Sequence, residues 1–443
     1  MMGRRRNMFK YLTALLLIVS VSVSAQEKLT YDEAIAIGLE HNFDIQIARN
    51  NVKIAANNNG LGLSGFLPKV DVSAKLAETD NKTDIDKPPV VSNSDISNKN
   101  AEVSLNWVLF DGFNMFVNKN RYSELKRLTE AQVRNQIESI IVQISSAYFN
   151  VVLQSQLYEI LNETAEISKV RLDREKVRNE LGGASSKDYL NALVSYNADK
   201  RALLNQELTL DRAKEQLNIL LGRDASTGLS VSEDIQIPIL NRDYESIKAE
   251  ALKRNSGLKA AELNKIVAER NKQLARSPFL PKVSFVASYG YTDRITNADV
   301  GDFPNQDINT TIDETTVGLQ LTFNIFNGNK DNIAYRNAKL AAHNEKLSFQ
   351  DTRNKLIGLI TEIYDTYEKQ MEIVQLEESN IAAALTNLEL QRERLELGSS
   401  NSLEFRDAQL QYNAAQTSLF TAKYQARISR LEVDQLIGII KIE

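Results

Sequence analysis

Apolar and polar positions alternate along four short stretches of the chain and recur every three or four residues along two very long ones. Val70, Val72, Ala74 and Leu76 alternate with polar residues, as do Val103, Leu105, Trp107 and Leu109. The pattern returns at Val283, Phe285, Ala287, Tyr289 and Tyr291, then at Val317, Leu319, Leu321, Phe323 and Ile325. A period of two marks a strand with one apolar face, so strands are expected at about 68–77, 102–110, 282–291 and 316–326. Roughly ten residues each is the length a tilted strand needs to cross an outer membrane. The segments between paired strands, Glu78 to Lys99 and Thr292 to Thr315, are rich in Asp, Asn and Thr and read as surface loops.

From Phe113 to Leu181 there is no Gly or Pro, and from Asn329 to Leu397 only Gly358. A helix over each segment would be about 100 Å long at 1.5 Å per residue. Val133, Ile137, Ile140, Ile144, Ala147 and Val151 alternate steps of four and three, as do Leu356, Ile360, Ile363 and Tyr367. That spacing is a coiled-coil seam. The polar interruption at Gln154 recurs as Gln370. After Gly182-Gly183 and after Gly398-Ser399 a second helix is expected in each case, ending at Gly222 and Gly438. Thr30 with Glu33 is a capping-box spacing that opens an earlier helix, with Asn42 as a point of interruption.

These elements are written twice. Phe66-Leu67-Pro68-Lys69-Val70 recurs as Phe279-Leu280-Pro281-Lys282-Val283, an offset of 213 that also aligns Tyr31 with Tyr244 and Asn42 with Asn255. Phe110-Asp111-Gly112 matches Phe326-Asn327-Gly328, and Tyr196-Asn197-Ala198 matches Tyr412-Asn413-Ala414, both at 216. The chain therefore reads as a signal peptide at 1–25, a first repeat at 26–222, a linker at 223–243 and a second repeat at 244–443. The signal reading rests on Arg4, Arg5, Arg6 and Lys10, the apolar run Tyr11 to Val19 and the small-residue site Val23-Ser24-Ala25.

Composition narrows the chemistry. The chain has 443 residues, no Cys and only His41 and His343, so thiolate or imidazole metal sites and Ser-His-Asp triads are disfavoured, and no metal or cofactor is expected. A net charge of −5 with dispersed Lys and Arg gives no footprint for nucleic acid. Past the signal no apolar run reaches 18 residues, so any later membrane crossing is left to strands. The fold class expected is mainly helical with membrane β-structure: four strands and long coiled-coil helices per chain. Four strands cannot close a barrel, so other copies must complete it; three chains would give twelve strands and four would give sixteen. Phe66, Trp107, Phe110, Phe279 and Phe326 fall where strands meet helices, as an aromatic girdle would, or as a plug for that joint.

With the repeat, the strand pairs and the helices together, the chain resembles the TolC family of outer-membrane efflux and secretion tunnels. The residues that carry the resemblance are Leu29-Thr30-Tyr31-Asp32-Glu33-Ala34 with Asn42, the Phe-Leu-Pro-Lys-Val lead-ins, the Phe-Asp/Asn-Gly exits, and Leu397-Gly398 followed by Leu403 to Gln409. The resemblance implies a homotrimer with a twelve-stranded barrel in outer-membrane lipid and a helical tube in the periplasm. It also implies contact, through the helix-tip turns Gly182, Gly183, Gly398 and Ser399, with a periplasmic adaptor protein that joins an inner-membrane RND or ABC transporter. Glu404 and Asp407 match the family's acidic pair at the periplasmic constriction, and Asp188 and Asn191 would stand beside them at the gate. Asn401 with Glu404 and Ser185 with Asp188 are also capping-box spacings, so gate and cap both stand at this point. Where some members lock the tube with an arginine and a tyrosine, this chain has Ser400 and Leu395, leaving Arg392, Arg394 or Arg406 as substitutes. The alternative is a periplasmic coiled-coil scaffold or adaptor with a soluble β-domain. A carboxylate-pair enzyme finds no cleft, and the exported substrate leaves no mark in the sequence.

Overall fold

The computed structural model describes residues 28–83, 92–181, 186–231, 234–300, 303–400 and 402–440. In chain order it contains β1 (Lys28–Leu29), α1 (Tyr31–His41), α2 (Phe43–Asn58), α3 (Leu61–Ser64), β2 (Lys69–Thr83), β3 (Ser92–Asp111), α4 (Asn114–Glu180) and α5 (Ser186–Leu220). There follow β4 (Ser230–Val231), α6 (Tyr244–Arg254), α7 (Ser256–Leu274), a 3-10 turn (Ser277–Phe279), β5 (Lys282–Val300), β6 (Phe303–Thr322), α8 (Lys330–Glu396) and α9 (Ser402–Leu436). The signal peptide expected at 1–25 lies outside the described residues. No described helix is long and apolar enough to cross a membrane.

The residues group into two compact units, one of 48–135 and 254–357, the other of the described residues up to 47 with 136–253 and from 358 on. Each unit draws segments from both sequence repeats.

The first unit holds the sheet, in the order β2-β3-β5-β6, with every neighbouring pair antiparallel. Cross-strand partners share a face. Val70, Leu105, Ala287 and Val317 form one row, and Trp107, Phe285 and Leu319 another. The alternate positions, on the opposite face, pair Asp71 with Ser104 and Ser284 with Gln320. One face is thus apolar and the other polar, yet the apolar face has no core behind it: Val72 is 76% exposed and Leu319 70%.

The strands are longer than their apolar alternation. Glu78 pairs with Ser97, Lys99 with Asp293 and Arg294 with Thr310, so most of the two polar segments expected as loops is hairpin. Polar strand continues because backbone ladders do not need apolar side chains. Here cross-strand contacts hold it, including Thr292 Oγ1 to Asn100 Oδ1 at 2.6 Å and Asn297 Nδ2 to Asp307 Oδ1 at 2.8 Å. At the other end β6 stops at Thr322, short of the expected 326.

Two left-handed residues in succession turn each strand pair into its long helix: Gly112 and Phe113, both at φ 67°, and Gly328 and Asn329, at φ 68° and 66°. Phe113 tolerates this within an aromatic cluster, its ring edge-on to Phe110 at 5.2 Å. Asp111 Oδ1 then accepts from Met115 N at 3.1 Å, capping α4.

In the second unit Thr30 and Glu33 form the reciprocal capping box. Asn42 interrupts the helix by accepting from Ile45 N at 3.1 Å while donating to Leu220 O at 2.8 Å. Ile140, Ile144 and Val151 of the seam are buried, as are Leu203, Leu210 and Leu217 of α5. Tyr31 Oη meets Ser145 Oγ at 3.0 Å, and the same contact recurs in the second repeat as Tyr244 Oη to Thr361 Oγ1 at 2.9 Å. On α8, Ile360 and Tyr367 are buried, whereas Leu376 and Leu390, and Leu397 just past its end, are exposed.

The two equivalent turn glycines differ in their surroundings. A Cβ on Gly112 would come within 2.4 Å of Ser277 O, whereas one on Gly328 would meet nothing within 4 Å. Gly328→Ala is expected to cost only the left-handed penalty, about 1–2 kcal/mol. Gly112→Ala adds a backbone clash and should cost about 1–3 kcal/mol more. Thermal or urea denaturation of both variants in detergent, followed by circular dichroism, checks the order; equal losses would contradict it.

Candidate functional site

The second helix tip is built by a left-handed glycine. Helix α8 ends at Glu396, Gly398 takes φ 73°, and Ser399 N bonds back to Arg394 O at 2.9 Å, which satisfies the last carbonyls of the helix. Ser400 Oγ then lies 2.8 Å from Glu404 Oε2 and 3.2 Å from Gln391 Oε1. With one proton, Ser400 donates to one of them at a time, and the charged carboxylate is the stronger partner. Glu404 is exposed in the first turn of α9 and tethered by Ser400. Asp407 is exposed one turn on and accepts from Gln411 Nε2 at 2.9 Å. On α5, Asp188 is exposed in the first turn and Asn191 accepts through its carbonyl from Ser195 Oγ. Gly182, Gly183 and the capping candidates Ser185 and Asn401 lie outside the described residues.

Above these acids stands a cluster that the sequence did not announce as a whole. Arg406 Nη2 bonds Asp199 Oδ1 at 2.6 Å, with side chains only 14% and 12% exposed. Asp199 also accepts from Ser168 Oγ, and Arg406 Nη1 approaches that hydroxyl at 3.3 Å. One side chain of the second repeat is thereby tied to two helices of the first, α4 and α5. Arg406 is one of the three arginines the sequence offers near this tip, whereas nothing local in the sequence marks Asp199 or Ser168. The signal was the repeat itself: at the offset of 216 their counterparts are Ala415 and Ala384, so both polar residues are departures from the duplicated pattern.

Beside the cluster is a cavity of about 150 Å³ lined in part by Val170, Arg171, Arg174, Leu395, Phe405 and Arg406. Burial pushes the Arg171 guanidinium below its ordinary range, and the nearby charges of Arg406 and Arg174 add to this, against Glu175 and Asp188. Glu175, nearly buried, pairs with Arg174 at 3.4 Å and Arg178 at 3.3 Å. Among the described residues no group of three His, Asp or Glu side chains could hold a metal ion.

The aromatic residues divide. Trp107 Nε1 donates to Phe66 O at 2.9 Å, Phe66 packs edge-on to Phe116, and Phe110 packs on Phe113. Phe279 is half exposed beside Tyr335, while Phe326 is 81% exposed. Phe66 and Phe110 thus pack within the joint of sheet and helix, Trp107 and Phe279 are each packed on one side and about two-fifths exposed, and Phe326 is the most exposed of the five.

The outer membrane efflux protein profile matches residues 35–223 and 248–439, two blocks that follow the internal repeat. Outer membrane efflux protein BepC of Brucella suis is 22% identical over 432 residues, 92% of this chain and 87% of its own. Outer membrane protein TolC of Escherichia coli is 20% identical over 303 residues, 68% of this chain, and the match spans 62% of that relative's length. Among solved structures, the Campylobacter jejuni CmeC outer membrane channel superposes with a TM-score of 0.77 at 17% identity, covering 92% of this chain and 85% of its own. The Vibrio cholerae outer membrane protein VceC gives 0.72 at 15%, covering 92% and 96%. The fold is that of these channels, and the chain belongs to the outer membrane efflux protein family.

Proposed function

We propose that this chain forms a homotrimeric channel-tunnel of the outer membrane, exporting substrates delivered by a periplasmic adaptor and an inner-membrane RND or ABC transporter, without catalysing a reaction itself. The observation that carries the reading is the open sheet with an apolar face and nothing packed on it. Lipid is the environment in which such a face is stable, and closure by other copies is what lipid then demands of its edges. Three chains would supply twelve strands, each repeat contributing one pair, with the helices continuing as a periplasmic tube. The exposed Leu376 and Leu390 on α8, with Leu397 just past its end, would pack against neighbouring copies. A periplasmic scaffold, the rival reading, has no use for the apolar face.

At the periplasmic end Glu404 and Asp407 share a helix face one turn apart. In a trimer six carboxylates would converge, with Asp188 and Asn191 beside them, favouring cations at a narrow axis. The tip turns at Gly182, Gly183, Gly398 and Ser399 would meet the adaptor. Arg406 with Asp199 would hold the second-repeat helix against the first while the gate is shut.

Two outcomes are expected. A cysteine at Ser92, near the first hairpin tip, should react with a membrane-impermeant maleimide on intact cells; labelling only after the outer membrane is permeabilised would return the chain to the scaffold reading. In planar bilayers, Glu404→Gln with Asp407→Asn should lower cation preference severalfold, and unchanged selectivity would leave both acids as helix-start residues.

A further inference from the structure

Positive charge gathers at the foot of β5. Arg276, six residues before Lys282, donates from Nη2 to Tyr335 Oη at 2.8 Å and lies over the Tyr335 ring at 5.2 Å from its centroid. Phe279 stands edge-on to the same ring at 6.4 Å. Lys339 is one turn further along α8, and Lys272 lies near the end of α7. The Arg276 hydrogen bond, with the charges of Arg276, Lys272 and Lys339, holds the Tyr335 phenol below its ordinary range. Lys272 is paired with Glu269 at 2.5 Å, whereas Arg276 and Lys339 are exposed. Next to these cations, Phe279 and Leu280 are about two-fifths exposed. Across the β5·β6 pairing, which ends at Lys282 and Thr322, the chain continues into the exposed Phe323, Ile325 and Phe326.

The first repeat shows what the second has changed. The counterpart of Tyr335 is Lys119 and that of Lys272 is Asn59. Lys119 Nζ donates to Asn59 O at 2.5 Å and to Asn59 Oδ1 at 2.8 Å, so its charge is spent inside the fold. Leu63 and Ser123 stand in place of Arg276 and Lys339. At these aligned positions the second repeat turns cations outward beside apolar side chains, where the first has Leu63, Ser123 and an inward-bonded Lys119.

We infer that Arg276, Tyr335 and Lys339 form a binding site for the phosphate of an anionic phospholipid headgroup at the foot of the sheet, one site per chain. The inference rests on the membrane reading of the sheet. The guanidinium fork matches phosphate oxygens and the ammonium adds a point charge. Tyr335 Oη, which accepts from Arg276, keeps its own proton to donate. Exposed aromatic rings at that level suit a membrane interface, and the acyl chains would lie along Phe323 and Ile325.

The test uses the purified full chain, exchanged into nanodiscs of phosphatidylcholine and phosphatidylglycerol, with the lipid retained after extraction counted by native mass spectrometry. Phosphatidylglycerol should be retained in preference, less so as salt is raised. Arg276→Gln and Lys339→Gln should each lower that preference by about fivefold. Tyr335→Phe should lower it further, and Lys119→Gln should leave it unchanged. Equal retention of the two lipids, or variants indistinguishable from the parent, would overturn the site. So would displacement of the lipid by inorganic phosphate alone, or a loss of binding to peptidoglycan sacculi in the same variants with lipid retention intact. Bilayer conductance of the same samples separates the two levels of the account. A parent protein that forms no pore removes the membrane reading, and one that conducts without lipid preference removes only the headgroup site.

Discussion

Backbone hydrogen bonding at the edges of the sheet constrains everything else in this protein. Strands β2 and β6 each have a neighbour on one side only, and each carries apolar side chains toward what would be lipid. In water an unpaired edge is a liability that solvent can satisfy. In hydrocarbon each unpaired N–H or C=O costs several kcal/mol, and a strand has many of them. No segment of the same chain pairs with these edges among the described residues, so in the proposed membrane setting the requirement would pass to other copies. Assembly as proposed would thus follow from backbone chemistry before any side-chain contact between copies is considered.

Duplication supplies the parts, and divergence assigns them different work. The Tyr–hydroxyl contact near the start of each repeat is kept, with Tyr31 on Ser145 and Tyr244 on Thr361. Elsewhere the copies part. Gln154 accepts from Gln206 Nε2 at 2.8 Å, but Gln206 has become Ala422 in the second copy and Gln370 Oε1 is left buried without a partner. Asp199 and Ser168 hold Arg406 where the second copy has alanines. Tyr335 sits among outward cations where the first copy buries its lysine contact in Asn59. The two copies thus keep their register while their side-chain contacts differ at these positions.

Much of the fold was legible because its determinants are local. A capping box, an asparagine that breaks a helix, a glycine in the left-handed region and a seam of steps of three and four are all written within a few residues of where they act. Strand length was not legible beyond Glu78 and Thr292, because the ladder there is held by backbone pairs and polar cross-strand contacts that leave no apolar alternation. At the tip the sequence offers Glu404 as gate or cap, whereas its tether to Ser400 is visible only in the structure. The Arg406–Asp199 pair spans 207 positions, and only folding brings its members together. Comparison of the two repeats is the one sequence-level view in which such a pair stands out.

The most direct test of the central claim is the mass of the particle extracted from the outer membrane in mild detergent, with bound detergent subtracted by combined light scattering and absorbance. Closure by copies predicts three chains per particle, with no smaller species that keeps its β-structure. A monomer with undiminished β-signal would mean that the edges of the sheet are satisfied without other copies, and would contradict the account.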